Sequence, residues 1–498
     1  MLFGSARIDN DVALGDKRGQ QKQQPPRRVD TGKGQRTMHG PGDKNGLTNS
    51  FRWPSETPQS LETEHRRIQT TLPAPTARER LERAADTLPE VSCYQVPVIW
   101  DRASGYQVYD DAGNCWIDFS STAVMANTGH GHPRVREAIV RHASEGLLAQ
   151  FSFHSDLRTE VAQELLTLAP AGMSKVYFWT TGSEAIEAAF RVSRQWAMRV
   201  NPRKSKIVSL EQDYHGCTLA AHQLSGTSPS KSWLPVHDEG IHRLPFLRKG
   251  TDPGSAGWDQ LVRDAAERTG LVGEEVAAVI IETFQGWGAL QLEPAYVQAL
   301  ARWLREHGGL LIFDEVQTGF GRTGKMWGHQ HYDVVPDLIC IGKGITSTLP
   351  LAAVMGVAKV LDVLPPGEVT TTHAGHPLSL AAARENLAVL QEEGLVQRAA
   401  NLGEIAKPHL DALQRDFPQM VVMISGTGLL WAIHLKDPET GEPSEYLARR
   451  LVWESVKRGV MLFHTNRATV KVCPPLIIPE PALLEGITAI RDALVELA

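Results

Sequence analysis

The chain has 498 residues, of which 42% are hydrophobic and 22% are charged, and its formal net charge at pH 7 is -6. These values are ordinary for a globular protein and exclude a mostly disordered chain. The small acidic excess favours neither a nucleic-acid partner nor an anionic membrane, so we expect small-molecule chemistry. At about 150 residues per domain, the length corresponds to roughly three structural units.

The five cysteines are scattered along the chain and lack CxxC spacing: Cys93, Cys115, Cys217, Cys340 and Cys473. This pattern indicates neither a disulfide framework nor a zinc site and fits a reducing compartment. No apolar stretch approaches the ~18 residues that cross a bilayer, and the first residues lack the apolar segment of a secretory signal. We therefore expect a cytoplasmic location and no membrane partner.

Residues 1–71 are predicted to be a disordered N-terminal extension. This stretch is rich in Gln, Gly, Pro, Arg and Asn and has almost no apolar periodicity, which is typical of a segment that cannot bury enough apolar surface to fold. From about Ala74 the pattern becomes that of a globular protein.

Short apolar runs then alternate with helical patterns, as in "KVYFWTTGSEAIEAAFRVSRQWAMR" and "EVAAVIIETFQG". Nearly continuous apolar strands separated by helices are typical of a parallel sheet that is covered on both faces. The sequence therefore predicts an α/β domain. After Pro377 the pattern changes to long helical stretches and then to the alternating "MISGTGLLWAIHLK", which predicts a smaller α+β domain.

Polar residues directly follow five of the predicted strands, where ligands bind in open α/β sheets. In chain order these are residues 180–183, residues 214–216, Glu282, residues 314–317 and Lys343. The first group opens a predicted helix, and backbone N–H groups and hydroxyls at a helix N-terminus favour an anion, most naturally a phosphate. Ser and Thr also cap ordinary helices, so this group alone is ambiguous.

Taken together, these groups suit pyridoxal phosphate as the cofactor. Lys343 supplies an amine for a Schiff base, and Asp314 supplies the acid that keeps the pyridine nitrogen protonated. Gln317 could hydrogen-bond the ring hydroxyl, and Tyr214 either stacks on a flat ligand or packs in the core. A lone lysine between two glycines is more often a solvated turn residue, so the prediction depends on the whole set.

Two other motifs favour different ligands. The stretch "GFGRTG", residues 319–324, matches the GxGxxG pattern of dinucleotide sites, but the segment after it has no helical apolar stripe and ends in proline. His130 and His132 in "TGHGHP" have no third metal-like ligand nearby, so no metal site is predicted.

From about Val91 onward the ordered motifs resemble those of class III pyridoxal-phosphate aminotransferases. They include "DFSSTAVMANTGHGHP", "TTGSEAIEAA", "LIFDEVQTGFGRTG", "IGKGI" and "TTTHAGHPLSLAAA". The family includes ornithine, 4-aminobutyrate and ω-amino acid aminotransferases, and the chain is also similar to dialkylglycine decarboxylase. The resemblance implies the fold type I architecture. Residues 72–155 would form the N-terminal segment of the small domain and pocket, residues 156–375 the large cofactor-binding domain, and residues 376–498 the small domain.

The resemblance also implies a homodimer with two active sites at its interface and a role for eight residues. These are Gly182 and Ser183 at the phosphate, Tyr214 on the ring face, Glu282 in support of the site, Asp314 at the pyridine nitrogen, Gln317 near the ring oxygen, Lys343 as the covalent anchor and Thr372 at the phosphate of the neighbouring subunit. Lys343 and Asp314 are the predicted catalytic pair, with Lys343 as the general base and acid.

The chain departs from the family at the positions that bind substrate carboxylates. Lys471 stands where glutamate-using members often have the arginine of R-x-x-P-P, which keeps the charge but loses the planar fork. Cys217 replaces the arginine that follows Tyr-His-Gly in 4-aminobutyrate enzymes. Trp287 stands where many members have the second glutamate of E-P-V-Q-G-E-G-G, and its indole offers a flat wall to a ring or sugar.

We therefore expect an aminotransferase that moves nitrogen from an amino acid donor, expected to be L-glutamate, to a carbonyl acceptor. The acceptor hypothesis is a keto-cyclitol or keto-sugar, neutral or phosphorylated, of a secondary-metabolite pathway such as antibiotic biosynthesis. The alternatives are an ω-amino acid or other class III transaminase, a decarboxylating transaminase, a racemase or a phospholyase. A non-catalytic binding protein is a further alternative, but it has no physical need for Lys343, Asp314 and a phosphate cup together.

Overall fold

The computed structural model describes residues 55–92, 95–226 and 229–498. These ranges contain nineteen strands, β1 to β19, which in chain order are Leu61–Glu62, Arg67–Ile68, Arg102–Ser104, Gln107–Tyr109, Cys115–Asp118, Lys175–Trp179, Lys206–Leu210, Ile241–Leu244, Val276–Glu282, Phe284–Gln285, Leu290–Gln291, Leu310–Asp314, Leu338–Ile341, Ala352–Gly356, Val421–Thr427, Leu430–Leu435, Val460–Met461, Phe463–His464 and Thr469–Val472.

The same ranges contain thirteen helices, α1 to α13, which are Arg78–Thr87, Ser121–Val124, Pro133–Ser144, Asp156–Leu168, Gly182–Val200, Leu219–Leu224, Gly257–Arg268, Pro294–Glu306, Ala358–Leu361, Pro377–Glu392, Leu395–Asp416, Glu445–Lys457 and Glu480–Leu497. The second of these is a short turn in which all four residues have positive φ angles. No helix in the described ranges has both the length and the apolar composition needed to cross a bilayer.

The largest sheet of the described residues has seven strands, in the order β6-β14-β13-β12-β9-β7-β8. β14 is antiparallel to both of its neighbours, and the strands from β13 to β8 are parallel to one another. Every residue of β9, β12, β13 and β14 is buried, because helices cover both faces and leave no face for alternating polar residues. The predicted α/β fold is confirmed.

The register of the parallel strands brings two acids to one edge of this sheet. Asp314 at the end of β12 pairs with Glu282 at the end of β9 on one side and with Cys340 of β13 on the other. Lys343 follows the end of β13 by two residues. The carboxyl ends of three neighbouring strands therefore present two acids and a lysine at the same level, where ligands bind in such sheets.

After Pro377 the chain forms the two long helices that the sequence predicts, α10 and α11. A four-stranded antiparallel sheet follows, in the order β15-β16-β19-β18, and its first two strands contain the predicted "MISGTGLLWAIHLK" segment. This mixture of helices and an antiparallel sheet confirms the predicted α+β character of the C-terminal residues.

The predicted disordered extension ended at residue 71, and that boundary is wrong. Residues 55–71 are described and include the antiparallel pair β1 and β2. Ile68 and Leu72 are fully buried, and Glu56 accepts a 2.7 Å hydrogen bond from Lys457 of α12. A contact of this kind joins two single residues that lie about 400 positions apart in the sequence. It therefore leaves no periodic pattern from which it could be predicted. Residues 1–54 of the predicted extension lie outside the described residues.

Candidate active site

Lys343 lies where the buried strand β13 ends, in a tight 3-10 turn over Lys343–Ile345. Its φ angle is +41°, a left-handed conformation that costs a non-glycine residue on the order of 1–3 kcal/mol. Gly344 is required because a Cβ there would lie 2.4 Å from Nδ2 of Asn127.

Burial lowers the pKa of Lys343, and the nearby carboxylates of Asp314 and Glu282 oppose that effect only in part. The uncharged amine is therefore favoured more than in a solvated lysine.

Asp314 is buried and has hydrogen bonds to both carboxylate oxygens. Oδ1 accepts from the backbone N–H of Val316 at 3.0 Å, and Oδ2 lies 2.8 Å from Nδ1 of His215. Two fixed donors of this kind set the orientation of the carboxylate.

His215 stands among the polar residues predicted at the strand ends, but the sequence assigns it no role. Its side chain is fully buried between two acids, with Nε2 3.5 Å from Oδ2 of Asp213 and Nδ1 bonded to Asp314. Burial alone lowers the pKa of His215, but the two acids outweigh burial and raise it to about 10. His215 therefore carries a positive charge that balances Asp314. The signal in the sequence was the acid two residues before a histidine at a strand end, "DYH".

Glu282 is buried close to the same pair of acids. Its pKa is raised well above the usual range, first by burial and then by the negative charges of Asp213 and Asp314. Oε2 accepts the backbone N–H of Tyr214 at 2.7 Å, which fixes the start of the loop that carries the tyrosine. Gly286 passes so close that a Cβ there would lie 2.6 Å from Oε1 of Glu282.

An anion cradle forms where β6 meets α5. Thr181 caps the helix through a capping box with Glu184, so that the helix begins at Gly182 and its positive end faces the strand ends. Gly216 has a φ angle of +124°, and a Cβ on it would lie 2.0 Å from Oγ of Ser183. Oγ1 of Thr180 is buried and has no hydrogen-bond partner among the described residues.

Two cavities meet at Lys343. The cradle cavity, of about 460 Å³, is lined by residues 180–183 together with Glu282 and Asp314, among others. The indole cavity, of about 370 Å³, is lined by Trp287, Cys217 and Lys471, among others. Tyr214, Gln317 and Lys343 line both cavities. The structure thus brings nine of the ten predicted site residues into two adjoining spaces.

The tenth predicted residue, Thr372, lines neither of these cavities. It is exposed and borders a separate surface cavity of about 250 Å³ with Phe151, Phe153 and His376. Within one chain Thr372 therefore does not join the cradle, and its predicted role in a neighbouring subunit stays a prediction.

Lys471 and Arg467 both line the indole cavity, and the sequence analysis named only the lysine. Nζ of Lys471 is buried and donates to the carbonyl of Gly286 at 3.0 Å and to Oε1 of Gln317 at 3.3 Å. The guanidinium of Arg467 lies 5.2 Å from the centroid of the Trp287 ring. The one indication of Arg467 in the sequence is that it precedes Lys471 by four positions.

The motifs that suggested other ligands have structural roles. Arg322 of "GFGRTG" is fully buried and donates to Oδ1 of Asn127 at 2.6 Å and to the carbonyl of Pro474 at 2.5 Å. Nε2 of His130 lies 2.7 Å from Asp118, and Nε2 of His132 lies 3.1 Å from Glu393. No cluster of three or more metal-binding side chains occurs in the part of the chain that the structure describes.

The cradle cavity fits pyridoxal phosphate. The unpartnered hydroxyl of Thr180 and the helix end at Gly182 suit the phosphate, Asp314 suits a protonated ring nitrogen, and the amine of Lys343 suits the aldehyde. A mixed α/β sheet with these groups at its carboxyl edge defines a pyridoxal-phosphate enzyme of fold type I.

Comparison with known proteins gives the family. The model of the family "Aminotransferase class-III" matches residues 90–494. The "Probable 4-aminobutyrate aminotransferase" of Bacillus subtilis (strain 168) is 32% identical over 406 residues, which cover 79% of this chain and 92% of that protein. The isoleucine 2-epimerase of Lentilactobacillus buchneri is 33% identical over 80% of this chain and 89% of its own. The ornithine aminotransferase of Toxoplasma gondii ME49 superposes with a TM-score of 0.74 at 29% identity, covering 86% of this chain and 96% of that structure.

The chain belongs to the class III aminotransferases. It is a pyridoxal-phosphate-dependent transaminase, as the sequence predicts, and its substrates are small molecules.

Proposed function

We propose that the enzyme transfers an amino group from L-glutamate to a neutral or phosphorylated polyhydroxy ketone, such as a keto-cyclitol or keto-sugar of a secondary-metabolite pathway. The observation that carries this proposal is the indole cavity, which Trp287 and Cys217 line together with Lys343. A flat indole suits the apolar face of a sugar or cyclitol ring, and the cavity lacks the arginine that 4-aminobutyrate enzymes carry at the position of Cys217.

In this proposal the cradle cavity holds the cofactor. Gly182 and Ser183 bind its phosphate, Tyr214 covers one face of its ring, and Gln317 donates to its ring oxygen. The half-exposed position of Tyr214 and the hydrogen bond from Lys471 to Oε1 of Gln317 support these roles, because the bond leaves the amide Nε2 of Gln317 as the donor. When bound, pyridoxal phosphate supplies an electron sink for the charge that develops at the substrate carbon.

Asp314 and His215 maintain the charge that this chemistry requires. The carboxylate of Asp314 faces the position of a protonated ring nitrogen, and His215 holds the carboxylate in place. Glu282, with its raised pKa, supports the loop that carries Tyr214 rather than adding a second negative charge.

Lys343 moves the proton. Its lowered pKa favours the uncharged amine, so Nζ can accept a proton from the substrate carbon and then donate it at a second carbon. Because Lys343 lines both cavities, the same nitrogen serves the cofactor side and the substrate side. Val316 lies close to the backbone of both glycines at this edge, since a Cβ on Gly182 would lie 2.7 Å from its Cγ1 and a Cβ on Gly342 3.3 Å from it.

We also propose that the enzyme acts as a homodimer in the cytoplasm and that Thr372 completes the phosphate site of the partner. Phe153 is 76% exposed and Phe151 45% exposed, and both border the same surface cavity as Thr372. Adjacent exposed aromatics of this kind mark protein interfaces. Light scattering of the purified protein tests the dimer, and a monomer that retains full activity contradicts it.

Assay of the purified enzyme with L-glutamate and a panel of acceptors tests the proposed reaction. The panel contains keto-cyclitols, keto-sugars with and without phosphate, and ω-aldehydes of amino acids. We expect the highest kcat/KM with a polyhydroxy ketone, while activity confined to the ω-aldehydes contradicts the proposed acceptor.

A racemase is the second candidate, because the relatives include an isoleucine 2-epimerase at 33% identity. The same lysine and acids serve both reactions, so the fate of the nitrogen must be measured. Incubation of the enzyme with a single L-amino acid and no acceptor distinguishes a transaminase from a racemase. A transaminase converts one equivalent of its cofactor to the amine form and stops, whereas a racemase continues to form the D-isomer.

A further inference from the structure

The tryptophan of the indole cavity lies at the tip of a short hairpin. This indole hairpin, residues 284–291, consists of β10, β11 and the turn between them, and the two strands form a sheet of their own. A two-stranded hairpin is at best marginally stable in water. Ala289, in the turn, is fully buried with a φ angle of +50°, a conformation that the surroundings must impose on an alanine. Contacts with other elements therefore fix the position of Trp287.

These contacts come from the four-stranded C-terminal sheet, whose side chains donate to three consecutive carbonyls of the turn. The carbonyl of Gly286 accepts from Nζ of Lys471 on β19 at 3.0 Å. The carbonyl of Trp287 accepts from Oγ1 of Thr469, on the same strand, at 3.1 Å. The third carbonyl, that of Gly288, is bound by residues of β15 and β16. The turn is thus attached to the sheet on both sides of the indole.

Two side chains hold the carbonyl of Gly288. Oγ of Ser425 on β15 donates to it at 2.5 Å, and Nε2 of His434 on β16 lies 3.0 Å from it. Oγ and Nε2 are also 2.7 Å apart, so the three atoms form a closed triangle. A Cβ on Gly288 would lie 3.0 Å from Cε1 of His434, so the glycine permits the close approach of the imidazole. The carbonyl is therefore fixed from two neighbouring strands.

The triangle determines which nitrogen of His434 carries the proton. A carbonyl only accepts, and the hydroxyl of Ser425 has a single proton to donate. Without a proton, Nε2 would face the lone pairs of the carbonyl at 3.0 Å. Burial lowers the pKa of His434 to about 4, and the bond to Gly288 opposes this effect only in part. The positive charges of Lys471 and Arg248 act in the same direction as burial. His434 is therefore a neutral imidazole that donates from Nε2.

We propose that His434 and Ser425 are positioning residues for substrate specificity, which act by fixing Trp287 as a wall of the indole cavity. Neither of the two is among the described residues that line this cavity, so their effect passes through other groups. These groups are the carbonyl of Gly288 and the indole itself, whose ring centroid lies 6.4 Å from that of His434 in an edge-on arrangement. The inference rests on the proposed contact of Trp287 with the acceptor.

The first test measures the hairpin itself and needs no substrate. Amide hydrogen exchange of the enzyme with bound cofactor, followed by mass spectrometry, is compared in wild type, His434→Leu, His434→Gln and Ser425→Ala. Glutamine carries its amide nitrogen about as far along the side chain as Nε2 of histidine, so His434→Gln keeps the donor. His409→Leu, at an exposed histidine on α11, is the matched control. Thermal unfolding of each variant checks folding.

We expect peptides of residues 283–291 to exchange about 10-fold faster in His434→Leu and in Ser425→Ala, because loss of a fixed donor lets the turn open locally. His434→Gln and His409→Leu should match wild type. Peptides of residues 180–190, in the anion cradle, should exchange equally in all variants. If His434→Leu does not fold, Ser425→Ala, which removes only a hydroxyl, decides. Unchanged exchange of the hairpin, or an equal rise in both sets of peptides, overturns the proposal.

The second test measures specificity with the preferred acceptor of the panel. His434→Leu should raise the KM for this acceptor about 3-fold, the size of one net hydrogen bond, and His434→Gln should restore it. The donor half-reaction, measured by single-turnover absorbance of the cofactor with L-glutamate or with isopropylamine, a primary amine without a carboxylate, should stay constant. In the Trp287→Leu background, His434→Leu should have no further effect, because it acts through the indole. Losses that add in the double variant, or that affect donor and acceptor alike, overturn the proposal.

The two tests separate this inference from the proposed function. If an ω-aldehyde is the preferred acceptor, and both its KM and the exchange of the hairpin depend on His434, the polyhydroxy acceptor is wrong and the positioning role is supported. If a polyhydroxy ketone is preferred and neither quantity depends on His434, the proposed acceptor is supported and the positioning role is wrong.

Discussion

The cradle cavity and the indole cavity share Tyr214, Gln317 and Lys343, yet they are built from different parts of the fold. The acids of the cradle cavity stand at the ends of buried parallel strands, where the register of β9 and β12 fixes their spacing. Two basic residues that line only the indole cavity, Lys471 and Arg467, stand on β19 and on the hairpin before it. The central sheet thus positions the acids of the cradle cavity, whereas Lys471 and Arg467 of the indole cavity stand on segments outside that sheet, an arrangement in which substrate contacts can vary on a rigid scaffold.

The two cavities also differ in charge. In the cradle cavity the protonated His215 balances Asp314, and the raised pKa of Glu282 keeps a further negative charge away. In the indole cavity Arg467 holds a fixed positive charge beside two lysines whose pKa values are lowered. A change in the cradle cavity should therefore affect every substrate equally, and a change in the indole cavity should affect substrates according to their charge.

The largest expected effect is that of Lys343→Ala. Loss of the proposed general base and covalent anchor should lower the half-reaction rate by about 10⁴-fold for every donor. Borohydride reduction followed by peptide mass spectrometry should find the cofactor on Lys343 in wild type and on no lysine in the variant. Lys407→Ala, on the surface of α11, is the control. Cofactor attached to Lys471 in the variant contradicts the division between the two cavities.

Asp314→Asn should have the next largest effect. The amide keeps the shape and removes the charge that we propose for binding the protonated ring nitrogen, so kcat should fall on the order of 10³-fold. The ratio of kcat/KM for glutamate and isopropylamine should not change, because the cradle cavity acts on both alike. Asp259→Asn, an exposed acid paired with Arg302, is the control. A loss that is confined to one donor shows that Asp314 contacts the substrate.

Most of the cradle cavity could be predicted from the sequence, since strand ends are visible as polar residues after apolar runs. Glu282, Asp314 and Lys343 were found in this way, and the parallel register explains why they lie together. The role of His215 was not predicted, because it depends on Asp213 and Asp314, which approach the ring from the ends of different strands. A contact between separate strand ends leaves no periodic signal.

The indole cavity was harder to predict because tertiary contacts decide the role of each residue. Lys471 matched a family position for a substrate cation, but its bonds to Gly286 and Gln317 are visible only in the structure. Arg467 was missed because it meets Trp287 across 180 positions of sequence. The structured state of residues 55–71 was not predicted for the same reason. It depends on distant contacts such as the hydrogen bond from Lys457 to Glu56.

His215→Asn should change stability in a defined pH window. The folded pKa of about 10 lies above the ordinary histidine pKa of 6.5, so the protonated histidine contributes stability that is full below pH 6.5 and is lost as the pH rises through about 10. Removing one partner of this buried pair should cost about 3 kcal/mol at pH 6. Denaturant unfolding at several pH values, with His409→Asn on α11 as the control, measures the difference. A cost that does not shrink toward pH 10 shows that His215 is neutral.

The smallest expected effect, and the sharpest on the indole cavity, is that of Trp287→Leu. If the indole forms a flat wall for the proposed polyhydroxy acceptor, its loss should raise the KM for that acceptor about 5-fold, because aromatic contacts of this kind contribute about 1 kcal/mol. The KM for glutamate should stay constant. Trp287→Tyr, which keeps a flat ring, should lose less than Trp287→Leu. An equal rise in the KM of donor and acceptor shows instead that the indole supports the shape of the cavity and does not contact the acceptor.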